Sequence, residues 1–93
     1  MAAGQGRGEE AAARYREALE IYRSLAARRA IAMTLEEWAG LSIAEADWPG
    51  AKNRLERALL VRSWLQDRSG VARILETQQI VHAALGDTRR TIC

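Results

Sequence analysis

The sequence predicts an all-α protein of four helices arranged as two stacked antiparallel hairpins with a right-handed twist, and three observations carry that expectation. Ala, Leu, Arg and Glu dominate the composition while Phe is absent, and β-branched residues are few and scattered, which favours helix. Apolar residues recur at i, i+3, i+4 and i+7 in four stretches, the period of a helix with one buried face. The chain also matches itself when displaced by 40 positions.

The first helix is expected over about Glu9–Ala27, with Tyr15, Ala18, Leu19, Tyr22 and Leu25 on one stripe. The second covers about Ala30–Ala46 and carries Ile31, Leu35, Trp38, Ala39 and Ser42, with Leu41 and Ile43 widening the face. The third, about Pro49–Leu65, has Ala51, Leu55, Ala58 and Leu59. The fourth, about Ser69–Leu85, has Val71, Ile74, Leu75, Gln78, Val81 and Leu85.

Each break has its own chemistry. Asp47 precedes Trp48-Pro49, so a carboxylate can cap the free amides of the third helix while proline sits in its first turn. Before the fourth helix, Gln66-Asp67-Arg68-Ser69-Gly70 is polar, and either Asp67 or Ser69 can cap. Gly86-Asp87 is expected to close the fourth helix, with Gly86 in a left-handed cap. The first break, Ala26 to Arg29, has only Arg28-Arg29 to interrupt an alanine-rich run. The expected core is Tyr15, Leu19, Ile31, Leu35, Trp38, Ala39, Leu55, Ala58, Leu59, Val71, Leu75 and Val81.

Length and charge exclude several function classes. Ninety-three residues make a single small domain, here residues 9–88, flanked by a flexible tail 1–8 and a short tail 89–93. Lys plus Arg number 14 against 12 acids, a net charge of +2, and Arg14, Arg16 and Arg23 are interleaved with Glu9, Glu10, Glu17 and Glu20. That is the pattern of a solvated, salt-bridged helix face rather than of a nucleic-acid interface. No apolar run reaches the roughly 18 residues of a membrane span, and Met1–Glu10 lacks the apolar stretch of a secretion signal, so a cytoplasmic location is expected. A lone Cys93 and a single histidine, His82, offer no metal cluster. Glu36 and Glu37 are adjacent and point about 100° apart on a helix, so they do not converge as paired catalytic carboxylates. No enzyme activity, metal or cofactor is expected.

At the 40-residue offset Arg14 pairs with Arg54, Leu19 with Leu59, Arg28 with Arg68, Leu35 with Leu75, Glu36 with Glu76 and Asp47 with Asp87. A fixed period in this range marks stacked repeats. Leu35-x2-Trp38-Ala39-x2-Ser42, the turn at Asp47-Trp48, and Ala51-x3-Leu55-x2-Ala58 together resemble the tetratricopeptide repeat family in its long-helix variant with a period near 40, as in bacterial regulators. Ala11-x3-Tyr15-x2-Ala18 resembles the second helix of a preceding repeat, and Leu75-x2-Gln78-Gln79-x2-His82 the first helix of a following one. The resemblance implies a right-handed α-solenoid fragment that reads half, whole, half. It also implies that His82 packs between helices, and that Trp48 locks two helices together.

The same resemblance implies a non-catalytic protein-interaction module whose first helices line a concave face. Met33, Glu36, Gly40, Arg73, Glu76, Thr77 and Ile80 fall on that face, and its two glutamates point to a basic or neutral peptide or partner helix rather than an acidic one. The alternative is a self-associating fragment of a bacterial regulatory protein with no separate ligand. Leu60 and Trp64 form an apolar pair outside the third helix's stripe, and with Ile74, Val81 and Leu85 they are the residues expected to join copies in a homodimer or larger homo-oligomer.

Overall fold

A computed structural model describes the backbone of residues 2–92 and the side chains of residues 8–86. It is all-helical among the described residues, with α1 over Ala2–Ser24, α2 over Arg28–Ala44, α3 over Trp48–Trp64 and α4 over Arg68–Ile92. Three short turns fold each helix back on its predecessor, and among the described residues substantial packing runs only between consecutive helices. The result is a slab 45 × 35 × 17 Å across its principal axes. Side chains of α2 and α4 bond to one another across one side of the slab. A groove separates α1 from α3.

The turns repeat one backbone device. Ala26, Ala46 and Gln66, 20 residues apart, are the non-glycine residues with positive φ among the described residues, at 54°, 57° and 59°. In each turn the following amide donates to a carbonyl five residues back: Ala27 to Tyr22 at 2.9 Å, Asp47 to Ser42 at 2.8 Å, Asp67 to Arg62 at 3.0 Å. The positive-φ residue donates to the carbonyl three back, as Ala26 does to Arg23 at 3.1 Å. This is the Schellman closure, which satisfies carbonyls that a helix end otherwise leaves open. Helices α2 and α3 are both 17 residues long, so the turns recur every 20 residues and hairpins every 40.

The ends of the chain differ from expectation. Helix α1 begins at Ala2 rather than Glu9, so residues 2–8 have helical backbone; no Ser, Thr, Asp or Asn precedes Glu9 to fix a later start. Helix α4 passes through Gly86 and continues to Ile92, which takes in most of the expected tail 89–93, whose Cys93 lies outside the described residues. Glycine permits a left-handed cap but does not impose one.

The core lies around α2 and α3. Ala32, Ala39, Ala51 and Ala58 are fully buried and let backbones approach, while Leu19, Leu35, Trp38, Leu55, Ile74 and Val81 fill the space around them. Tyr15, Ile31, Leu59 and Trp48 are half-buried against that cluster. Two expectations about α4 are corrected. Leu75 is 46% exposed, and its neighbour Ile74, at 1%, takes the core position. His82 is exposed rather than packed between helices. The cause lies in the number of neighbours: α2 is packed between α1 and α3, whereas α4 packs substantially on α3 alone. The stripe Ala32, Leu35, Ala39 and Ser42 of α2 is buried throughout, and its 40-residue equivalents Ala72, Leu75, Gln79 and His82 are exposed throughout.

Candidate interaction surfaces

Helices α2 and α4 place Met33, Gly40, Arg73, Glu76 and Ile80 in solvent, with Glu36 and Thr77 half-buried among them. The seven residues expected on this face are therefore at the surface, but one of them is already engaged. Glu36 Oε1 accepts from Arg73 Nη2 at 2.9 Å, and Glu36 Oε2 accepts from Arg62 Nε at 2.8 Å. Arg62 also donates through Nη1 to Asp67 Oδ2 at 2.9 Å. One guanidinium of α3, only 8% exposed as a residue, thus ties α2 to the turn before α4, and Arg73 ties α2 to α4 directly. Hydrogen bonding to Glu36 raises the Arg73 guanidinium above its ordinary value. The Gly70 backbone amide, at 3.0 Å from Asp67 Oδ1, and then the charge of Arg62 hold the Asp67 carboxyl below the usual range. Glu36 is consumed inside the fold, so the electrostatic reason for favouring a basic ligand on this face rests on Glu76 alone among the residues assigned to it. Thr77 donates to the Arg73 carbonyl at 3.1 Å.

The residues expected to join copies are split by the structure. Ile74 and Val81 are 1% and 0% exposed because they meet α3, the one substantial neighbour of α4; they are core and cannot form a contact between copies. Leu85 is half-buried. Leu60 and Trp64 are 72% and 64% exposed. They flank the groove between α1 and α3, whose floor includes Ile31 and Leu35 of α2.

A second cation centre lies at the other end of α3. Arg54 stacks on Trp38 with its guanidinium carbon 4.0 Å from the ring centroid, donates to Ser42 Oγ at 3.0 Å and approaches Asp47 at 3.9 Å. Tyr15 stacks on Trp38 at 5.9 Å, and Arg16 approaches the same ring at 5.6 Å. Burial pushes the Arg54 guanidinium below its ordinary value, partly offset by Asp47. These groups border an open groove of about 1100 Å³ beside Gly8 and Glu45.

The structural roles of Arg54 and Arg62 were not evident from motif spacing, although one signal was present. Ala51, Leu55, Ala58 and Arg62 follow at i, i+4, i+7 and i+11 and all are buried; a cation continuing an apolar stripe signals a charge drawn into the fold to meet a partner. Exposed His82 shares a shallow groove with Lys52 and Leu85, and no group of three His, Cys, Asp or Glu able to hold a metal occurs among the described residues. No helix among the described residues is long and apolar enough to cross a membrane. Compared with protein-family models, curated proteins and solved structures, the chain matches none of them.

Proposed function

We propose that the chain is a non-catalytic protein-interaction module of tetratricopeptide-like construction, acting in the cytoplasm and needing no cofactor. The observation that carries this reading is the surface of α2 and α4, where Met33 and Ile80 are more than half exposed beside Gly40, Arg73 and Glu76, on helices cross-braced by the Arg62–Glu36–Arg73 network. A rigid face with apolar anchors and a few polar groups suits a peptide or partner helix. With Glu36 neutralised internally, its ligand is a neutral or weakly basic segment. The test is an NMR titration with a panel of neutral, basic and acidic peptides. Amide shifts clustered at Met33, Gly40, Glu76 and Ile80, abolished by the double change Met33→Asp and Ile80→Asp, support it. A panel that leaves those amides unmoved overturns it.

Self-association through α4 is a second reading, favoured by one observation: Leu75 and Ile80 are 46% and 58% exposed on a helix with one substantial neighbour. Light-scattering mass at two concentrations decides it, with Leu75→Glu as the disruptive change because Val81 is core.

A further inference from the structure

We infer that the groove between α1 and α3 is a docking site for an acidic amphipathic helix of a partner protein. The groove has a volume of about 440 Å³, within the roughly 300–1,000 Å³ of pockets that hold side chains or small ligands. Its apolar surface comes from Ile31, Leu35, Leu60, Val61 and Trp64, and its other lining residues are three arginines, Arg23, Arg28 and Arg57. Among the described residues no carboxylate lines it. None of the three arginines makes an ion pair among the described residues, in contrast to Arg62 and Arg73, each hydrogen-bonded to a carboxylate of the chain. Arg28 instead stacks over the Trp64 ring at 4.0 Å.

The spacing and the charge each point to the occupant. Arg57, Leu60, Val61 and Trp64 follow at i, i+3, i+4 and i+7 on α3, a ridge about 10 Å long, which matches two turns of a helix laid into the groove. Apolar side chains of that helix cover Leu60 and Trp64 and reach toward Ile31. Acidic residues on its flanks meet Arg23, Arg28 and Arg57, so that unpaired cations gain partners as the floor is dried. A second copy joined two-fold through this face would instead set three arginines against their own equivalents. Nucleic acid would find an aliphatic floor, and an indole already stacked by Arg28.

This site uses a different pair of helices from the face formed by α2 and α4. It rests on the same general view of the chain as an interaction module, and different variants report on each surface. The probe is a fluorescent synthetic helix with leucines at i, i+3, i+4 and i+7 and glutamates on both flanks, read by polarisation. Controls are the same composition scrambled so that the leucines do not share a face, a version with lysine for glutamate, and a single-stranded oligonucleotide. The expected result is saturable binding of the acidic amphipathic helix alone, weakened about tenfold or more by Trp64→Ala and by Arg23→Glu with Arg57→Glu, and unchanged by Met33→Asp with Ile80→Asp. In the charge-reversed variant the lysine version binds in its place. Circular dichroism confirms that these surface variants stay folded, and Leu60→Ala, a milder truncation at the most exposed position, must weaken binding in the same direction. Equal binding of the scrambled peptide, tighter binding of the oligonucleotide, or no peptide binding by a chain whose mass halves on Trp64→Ala would each overturn the proposal.

Discussion

The turn between α1 and α2 and the two turns that follow share a backbone and differ in their side chains. All three close with the same pair of amide-to-carbonyl bonds around a positive-φ residue. In the second, Asp47 Oδ1 accepts from the Gly50 amide at 3.1 Å, and in the third, Asp67 does the same for Gly70 at 3.0 Å. The first has Ala27 at the capping position with no side-chain bond, and Arg28-Arg29 places two cations at the positive end of the α2 dipole. Glycine recurs with the aspartate: a methyl group on Gly50 would fall on the Asp47 carboxylate, and one on Gly70 would lie 2.5 Å from Asp67 Oδ2 and 2.8 Å from Arg62 Cδ. The first turn has Ala30 at that position. Chain reversal therefore does not depend on the Asp-x-x-Gly cap; helix length and packing set it, and the cap adds stability and a link to neighbouring helices.

The third turn is the most strongly tied, because Asp67 joins Arg62 and through it Glu36. Arg62→Ala would remove the group shared by two acids and leave Glu36 with Arg73 as its remaining ion-pair partner among the described residues, at a cost of about 3 kcal/mol. Urea unfolding should show this as the largest loss among the turn variants. A loss near that of an ordinary surface change, about 0.5 kcal/mol, would show the network to be ornamental.

Acid should weaken the third turn through Asp67. Its carboxyl is held below the usual range in the folded chain, so its contribution is fully present above the unfolded value of about 3.9 and is lost as pH falls through the lower folded value. A series of urea midpoints from pH 5 downward should fall more steeply in the parent chain than in Asp67→Asn, which has no carboxylate to protonate. Parallel profiles would remove Asp67 from the account of acid stability.

Much of this was legible in the sequence for a local reason. Asp47-Trp48-Pro49 and Asp67 with Gly70 are punctuation whose chemistry acts within three residues, and both caps form where they stand. The all-helical class and most of the core followed from periodicity, which fixes the spacing within a helix. Periodicity does not say how many neighbours a helix has, and for that reason Leu75 and His82 are in solvent while Leu35 and Ser42 are buried. Arg62 was only partly legible for a related reason: the stripe it continues marks a charge drawn inward, but of its two acids only Asp67 is close in sequence, while Glu36 sits on another helix 26 residues away. The split of the expected self-association set, with Ile74 inside and Leu60 outside, has the same origin.

Asp47→Ala tests the isolated cap. Asp47 has its bond to Gly50 and only a long approach to Arg54 at 3.9 Å, so its loss should cost about 1 kcal/mol and less than Arg62→Ala. If the two losses were equal, the contrast between a cap that stands alone and one wired into a network would disappear.

The smallest effects carry the sharpest sign. Ala26 holds a left-handed backbone with φ of 54°, where a Cβ is strained and glycine is not, so Ala26→Gly should stabilise by about 0.5 kcal/mol despite the added freedom of the unfolded chain. Gly86 stands 20 residues beyond Gln66, at the place where the register would put a fourth such turn, yet it lies inside α4 with φ on the ordinary side and nothing within 4 Å of an added Cβ. Gly86→Ala should therefore also stabilise, by about 0.5–1 kcal/mol, the helix-interior difference between the two residues. The exchange thus runs in opposite chemical directions at the two sites with the same thermodynamic sign. If Gly86→Ala destabilised instead, residue 86 would be closing α4 in solution as Ala26, Ala46 and Gln66 close the three helices before it, and a thermal melt of the single variant distinguishes the two cases.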